Sequence, residues 1–254
     1  MRVADFGDQR NQSGQFVAMI SVIPCAGEGG RFKAAGYDVP KPLLPMPDGR
    51  TLIEHVASSL PMCNQIITVS KSQLELSQAM FSASWLPVHV KRKTHGPLDT
   101  LMEARSLLRV DDELLINYCD CFLPDGQCDE FVNEMRSRGR HAGVVCFPSS
   151  DARFQREPSG KFAMSGIFYF KNGRQFVQTA MRYRENAEVS PGHVAFAIHW
   201  LGFNKCAAWV TDNIVDLGVP ETYRAYLAMH KKQDREHIET SQPGEAGLLR
   251  RPTA

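Results

Sequence analysis

Three glycines, an arginine and a lysine are the residues whose spacing most directly suggests chemistry. Cys25-Ala26-Gly27-Glu28-Gly29-Gly30-Arg31-Phe32 follows the apolar run 17–24. Glycines at such a position let the backbone approach a phosphate chain and aim N–H groups at it. Arg31 adds a planar, permanently charged fork for phosphate oxygens. Taken alone, the segment reads equally well as a tight turn with a surface arginine. It is not a dinucleotide fingerprint, because Phe32 stands where the third glycine belongs. It is not a Walker A loop, because no Gly-Lys-Ser/Thr ends it. Further along, Pro40-Lys41-Pro42-Leu43-Leu44-Pro45 sets Lys41 between two prolines. Prolines exclude helix and stiffen the backbone, so a lysine held there can be aimed at a phosphate with little loss of entropy. The plainer reading is a proline-rich surface loop.

The elements that must position these residues alternate along the chain. Residues 17–24, 65–69, 88–91, 114–117 and 142–147 read as strands. Residues 51–60, 71–81, 100–108 and 128–138 read as helices, with Thr51/Glu54 and Thr100/Glu103 spaced as capping boxes. Strand–helix alternation of this kind implies a parallel sheet covered by helices on both faces. Ligands in such sheets bind outside the carboxyl ends of the strands, where the glycine-rich loop would lie. The second half departs from simple alternation: strands at 162–170, 207–210 and 214–217, helices at 174–184 and 194–201, and a final helix 220–232 with Pro220 in its first turn. No linker separates the halves, so a single domain is expected over 17–235. Its two halves are 17–150 and 151–235. A polar extension precedes it at 1–16, and 236–254 reads as a flexible tail.

Composition agrees with an ordinary globular α/β protein. The 254 residues are 43% hydrophobic and 22% charged, with a net charge of +1. No global field points to nucleic acid or a membrane surface. Arg136, Arg138 and Arg140 at a helix end read as a solvated face. The seven cysteines are irregularly spaced and form no Cys-x-x-Cys pair, which argues against structural zinc and for a reducing compartment. No apolar stretch has the length of a membrane span or the pattern of a secretory leader, and the expected location is the cytoplasm.

Gly27-Glu28-Gly29-Gly30-Arg31-Phe32, followed by Ala35-Gly36-Tyr37-Asp38-Val39-Pro40-Lys41-Pro42-Leu43, resembles the sugar nucleotidyltransferases, or NDP-sugar pyrophosphorylases, above all their compact bacterial members linked to surface-polysaccharide synthesis. Their pattern is Gly-x-Gly-x-Arg, a spacer, then Pro-Lys-Pro. Later segments of the chain agree with it. Thr94-His95-Gly96-Pro97-Leu98-Asp99-Thr100 matches the family's base-contact segment, and Asn117-Tyr118-Cys119-Asp120 its strand-end Asp. Ser165-Gly166-Ile167-Phe168-Tyr169-Phe170 matches its acceptor-half strand, and Asp216-Leu217-Gly218-Val219-Pro220-Glu221 its closing Asp-x-Gly-Thr-Pro-Glu. The fold implied is a Rossmann-like, mixed but mainly parallel sheet of the GT-A-like nucleotidyltransferase type, with 17–150 as its nucleotide-binding half and 151–235 as its acceptor-binding half.

The reaction implied is Mg2+-dependent attack of a sugar 1-phosphate on the α-phosphorus of a nucleoside triphosphate, giving an NDP-sugar and pyrophosphate. Asp120 and Asp216 would be the magnesium ligands. Arg31 would stabilise the triphosphate and departing pyrophosphate, and Lys41 the α-phosphate or the incoming phosphate. Ala26, Gly27, Gly29, Gly30 and Arg31, with His95 and Gly96 at the base, would bind the nucleotide. Gly166, Lys41 and Lys161 would bind the acceptor. Cys119 and Cys121 flank Asp120 and read as packing residues. A homo-oligomer is compatible with the resemblance.

The acceptor half departs from the family pattern. Arg156-Glu157-Pro158 stands where Glu-Lys-Pro is usual, and an acidic Glu157 cannot bind a phosphate. Lys161, Arg156 and Arg153 are the available substitutes. Glu188-Val189-Ser190-Pro191-Gly192-His193 replaces an acidic-aromatic motif, and Val219 replaces a threonine. The acceptor is therefore open: a non-sugar phosphate such as phosphocholine, with CTP as donor, is an alternative, as is a catalytically weak nucleotide-binding regulatory module. A glycosyltransferase would need Asp-x-Asp, which Asp120-Cys121-Phe122 does not supply.

Overall fold

Met19–Cys25 (β1) is buried at every position, as a strand covered on both faces must be. Its side chains alternate between two apolar clusters, Met19, Ile23 and Cys25 in one, Ile20 and Val22 in the other. A computed structural model describes residues 18–61, 63–71, 84–108, 110–124, 126–157, 159–185 and 206–241. The remaining strands are Gln65–Ser70 (β2), Ser84–His89 (β3), Glu113–Asn117 (β4), Cys121–Phe122 (β5), Ala142–Phe147 (β6), Ala163–Phe170 (β7), Cys206–Val210 (β8) and Val215–Asp216 (β9). The helices are Gly30–Ala34 (α1), Leu52–Ser58 (α2), Pro97–Met102 (α3), Gln127–Ser137 (α4), Gly173–Glu185 (α5) and Pro220–Ser241 (α6).

Seven strands form one sheet in the order β3-β2-β1-β4-β7-β6-β8. β1 pairs in parallel with β2 and β4, β2 with β3, and β6 with β8; β7 runs antiparallel between β4 and β6. The mixed, mainly parallel sheet expected from the sequence is thus present. One face is covered by Leu52, Ile53 and Val56 of α2, Phe131 and Met135 of α4, and Tyr223 of α6. The other is covered by Leu98, Leu101 and Met102 of α3 and Phe176, Val177 and Ala180 of α5. The carboxyl ends of β1, β2 and β4 meet at one edge, and the site is built there. Among the described residues no helix is long and apolar enough to cross a membrane.

Several elements sit differently from their sequence reading. The third strand begins at Ser84 and ends at His89 rather than spanning 88–91. Pro87 lies inside it, tolerated because β3 is an edge strand whose missing N–H breaks no second ladder. The helix read at 100–108 starts instead at Pro97, after Gly96 in a positive-φ conformation (119°). Thr100 is inside that helix, and its hydroxyl donates back to the Gly96 carbonyl, so Thr100/Glu103 is not a capping box. The Thr51/Glu54 box does form: Glu54 N–H donates to Thr51 Oγ1, and Thr51 N–H to Glu54 Oε2 at 2.8 Å. The final helix continues past 235 to Ser241. Residues 1–16, nearly all of 71–81, the helix read at 194–201, the 188–193 segment and 242–254 lie outside the described residues.

The arginines expected on a solvated face separate. Arg138 is exposed and pairs with Glu134 one turn away. Arg136 turns inward, donating from Nε (2.9 Å) and Nη2 (2.6 Å) to Glu113, a buried carboxylate of β4 that also accepts the Tyr169 hydroxyl at 2.7 Å. Burial and the Glu113 charge hold the Tyr169 phenol well above its ordinary pKa. The triad ties α4 to two neighbouring strands.

Candidate active site

The glycine-rich loop leaves the carboxyl end of β1 and turns into α1 through Gly29, whose φ of 64° is left-handed. A side chain there would be strained, which is the physical reason for glycine at this position. Phe32 of α1 is buried against Tyr37 and Tyr223, anchoring the loop to the core. Pro40, Lys41 and Pro42 enter a short 3-10 turn, Lys41–Leu43. The turn sends the Lys41 side chain into the protein, where it is only 15% exposed and lies 5.4 Å from the centre of the Phe32 ring.

Asp120 occupies the turn between β4 and β5. The Asn117 side-chain amide shapes this turn by donating to the Tyr118 and Cys121 carbonyls, both at 2.8 Å. Cys119 and Cys121 pack into the apolar cluster beneath. They are packing residues, as expected. Burial, then the neighbouring charges, push both thiols up, Cys119 to about 12.

Asp216 comes from the far end of the sequence. β5 and β9 pair antiparallel, with Cys121 opposite Asp216, and Leu217 N–H donates to the Asp120 carbonyl at 2.7 Å. This two-stranded clamp sets the two carboxylates side by side. A β-carbon built on Gly218 would stand 2.9 Å from Asp216 Oδ1 and 3.3 Å from Asp120 Oδ2, so the glycine leaves open the space between them.

Each carboxylate already has a cation. Lys41 Nζ donates to Asp120 Oδ2 and lies 3.5 Å from the Gly218 carbonyl. Arg153 Nη2 is 3.3 Å from Asp216 Oδ2. Burial works against the Lys41 charge, but Asp120, with smaller help from Cys119 and Asp216, outweighs it and leaves its pKa raised. Burial and repulsion from Asp120 raise Asp216, against the pull of Arg153 and Lys41. Among the described residues, no cluster of three or more His, Cys, Asp or Glu side chains is placed to hold a metal. The Asp120–Asp216 pair supplies two carboxylates, which could hold a magnesium ion that takes its remaining ligands from substrate phosphates and water.

A cleft with two lobes surrounds this centre. The first, about 320 Å³, is lined by Ala26, Gly27, Gly29, Gly30, Arg31, Lys41, Gly96 and Asp120. The second, about 340 Å³, is lined by Arg31, Asp120, Gly166 and Asp216, and by Arg153. Two expected site residues do not line either lobe. His95 is exposed, and its N–H donates to Asp99 at 2.9 Å. Lys161 is exposed on a turn whose N–H donates to Glu157. Sequence reading also passed over Asp99, which is buried, accepts both Arg92 Nη groups at 2.8 Å and pins the 94–96 segment. Gly218 was visible only as part of a motif, and Arg153 only as one of three candidate cations.

A model of the MobA-like NTP transferase domain matches residues 21–234. The chain belongs to that family. This MobA-like protein is a nucleotidyltransferase, and the resemblance drawn from the loop and the Pro-Lys-Pro segment holds at that level. No curated protein sequence matches the chain significantly. Among solved structures, a nucleoside-diphosphate-sugar pyrophosphorylase from Vibrio cholerae is 18% identical, with a TM-score of 0.68 over 82% of this chain and 99% of that one. A UTP-bound UGPase from Acinetobacter baumannii is 16% identical, with a TM-score of 0.65 over 89% and 100%. At these identities the likeness is one of fold. It takes in 82% and 89% of this MobA-like chain.

Proposed function

We propose that this transferase joins a nucleoside triphosphate to a sugar 1-phosphate, releasing pyrophosphate and an NDP-sugar, with magnesium held by Asp120 and Asp216. The observation that carries the reading is the convergence of two carboxylates from distant segments at the junction of two lobes. One lobe is walled by glycine backbone, Arg31 and Lys41, the other by Arg31 and Arg153. Transfer to the α-phosphorus requires in-line positioning and charge neutralisation rather than covalent help.

In this reading the glycine-rich backbone receives the triphosphate. Arg31, shared by both lobes, neutralises charge on the pyrophosphate as it leaves. Lys41, kept protonated by its acidic neighbours, transfers its contact from Asp120 to an α-phosphate oxygen. Asp120 and Asp216 would hold magnesium, which would supply charge neutralisation to the substrate phosphates. The Gly96 backbone lies in the donor lobe and contributes to the base end.

The test is pyrophosphate release from a panel of nucleoside triphosphates and phosphorylated acceptors with magnesium. Asp120→Asn should abolish magnesium-dependent turnover while circular dichroism and melting remain those of a folded protein. Unchanged turnover in Asp120→Asn would remove it from the mechanism. Nucleotide binding without release from any pair would leave a regulatory binding module.

A further inference from the structure

Glu157 is the position at which a phosphate-binding lysine was expected, and its carboxylate is fully engaged in shaping its own turn. It accepts from Ser159 N–H at 2.7 Å, Lys161 N–H at 2.9 Å and Phe162 N–H at 3.2 Å, and from the Ser159 hydroxyl. Burial alone would raise its pKa, but these bonds hold it down at about 2. Among the described residues of this turn, neither Arg156 nor Lys161 lines the cleft, and Lys161 is exposed to solvent.

Arg153 is placed differently. Its Nε donates to Asp151 Oδ2 at 2.7 Å, and its own backbone N–H donates to Asp151 Oδ1 at 2.9 Å. Its guanidinium carbon lies 5.0 Å from the centre of the Phe154 ring, and Phe154 is buttressed edge-on by Phe147 at 4.9 Å. One edge and one face of the guanidinium are therefore fixed. The other edge carries the Nη groups into the second lobe. There Nη2 makes a single long contact with Asp216, and Nη1 has no hydrogen bond among the described residues. A guanidinium held this way is oriented in advance, so little rotamer entropy is lost when a planar or tetrahedral oxyanion docks on its free edge. Arg31 is the other cation lining this lobe.

We infer that Arg153 anchors the phosphate of the second substrate, a phosphate monoester, in the lobe lined by Arg31 and Gly166. The inference rests on the transferase reading above and adds the residue that selects for a phosphorylated acceptor.

The experiment uses the full chain as wild type, Arg153→Met and Arg153→Lys. Affinity for nucleoside triphosphates is measured first. Inorganic phosphate is then titrated into protein saturated with the triphosphate that binds best, and KM and kcat are measured for the acceptor that releases pyrophosphate. Phosphate binding, and 1/KM for the acceptor, should fall by more than tenfold in Arg153→Met and recover partly in Arg153→Lys. Triphosphate affinity should change less than threefold. The inference is overturned if wild type binds no phosphate at the second lobe or if Arg153→Met binds it equally well. A parallel loss of triphosphate affinity, marking Arg153 as a mere prop for Asp216, also overturns it. Wild type that binds no triphosphate at all would instead sink the transferase reading, a separable result because it involves no Arg153 variant.

Discussion

Two carboxylates and two cations, arranged as alternating charges around a glycine, meet where the two lobes join. Gly218 is the residue on which that arrangement turns most sharply. Adding one methyl group places carbon 2.9 Å from Asp216 Oδ1, and one or both carboxylates must move. Gly218→Ala is expected to lower kcat by about 100-fold, the cost typical of an ångström-scale displacement in a positioned site, while the protein still melts cooperatively. Steady-state kinetics beside a melting curve decide it; near-normal kcat would mean the gap between the carboxylates is not used. Glu157 allows a test that does not involve turnover. Its folded-state pKa is depressed to about 2, so its contribution to stability is fully present above the ordinary glutamate range. That contribution is lost as pH falls from about 4.5 towards 2. Glu157→Gln should be less stable than wild type at neutral pH by about 2 kcal/mol, with the difference shrinking in acid. Denaturant titrations at pH 7 and pH 3 measure both, and a pH-independent difference would contradict the assignment.

At the scale of elements, β7 and the turn that bears Asp120 depend on each other. Tyr118 N–H donates to the Gly166 carbonyl at 2.9 Å, and a β-carbon on Gly166 would overlap the Tyr118 ring at 2.4 Å. Gly166→Ala should therefore destabilise the fold by about 2 kcal/mol through overpacking and also displace Asp120, lowering activity and melting temperature together. Loss of activity with an unchanged melting temperature would point to direct acceptor contact instead. Most elements were legible in the sequence because their signals are local: the apolar run of β1, the Thr51/Glu54 box, and the proline-flanked Lys41. What was illegible depended on partners far along the chain. Thr94–Gly96 looked like the approach to a helix capped at Thr100, whereas the segment is pinned by buried Asp99 and its pair with Arg92. The choice among Arg153, Arg156 and Lys161 was undecidable because the turn that sorts them is drawn by the side-chain bonds of Glu157. Asp120 and Asp216 were each readable, but only the pairing of β5 with β9 shows that they face one another.

Across the whole molecule, two helical layers sandwich one sheet, and Glu113 is a polar rivet between the sheet and one of them. It is buried and satisfied on both sides, by Tyr169 and Arg136. Removing it leaves the Arg136 charge and a buried hydroxyl without their partner. Glu113→Ala is expected to cost about 3 kcal/mol, read as a lowered denaturant midpoint with unaltered cooperativity. A change within experimental error would show that Arg136 simply turns back to solvent. The same global view gives the clamp of β5 and β9 a meaning in time. A chain emerging from the ribosome has the glycine-rich loop, Lys41 and Asp120 in hand long before Val215–Asp216 exists, and contacts that span such sequence distance form late. An unfinished molecule would then hold Lys41 and Asp120 without the Asp216 carboxylate that stands beside them in the finished one. On the transferase reading, chemical competence would come only once Val215–Asp216 has been made and docked against Cys121–Phe122, so activity would double as a signature of the chain's completion.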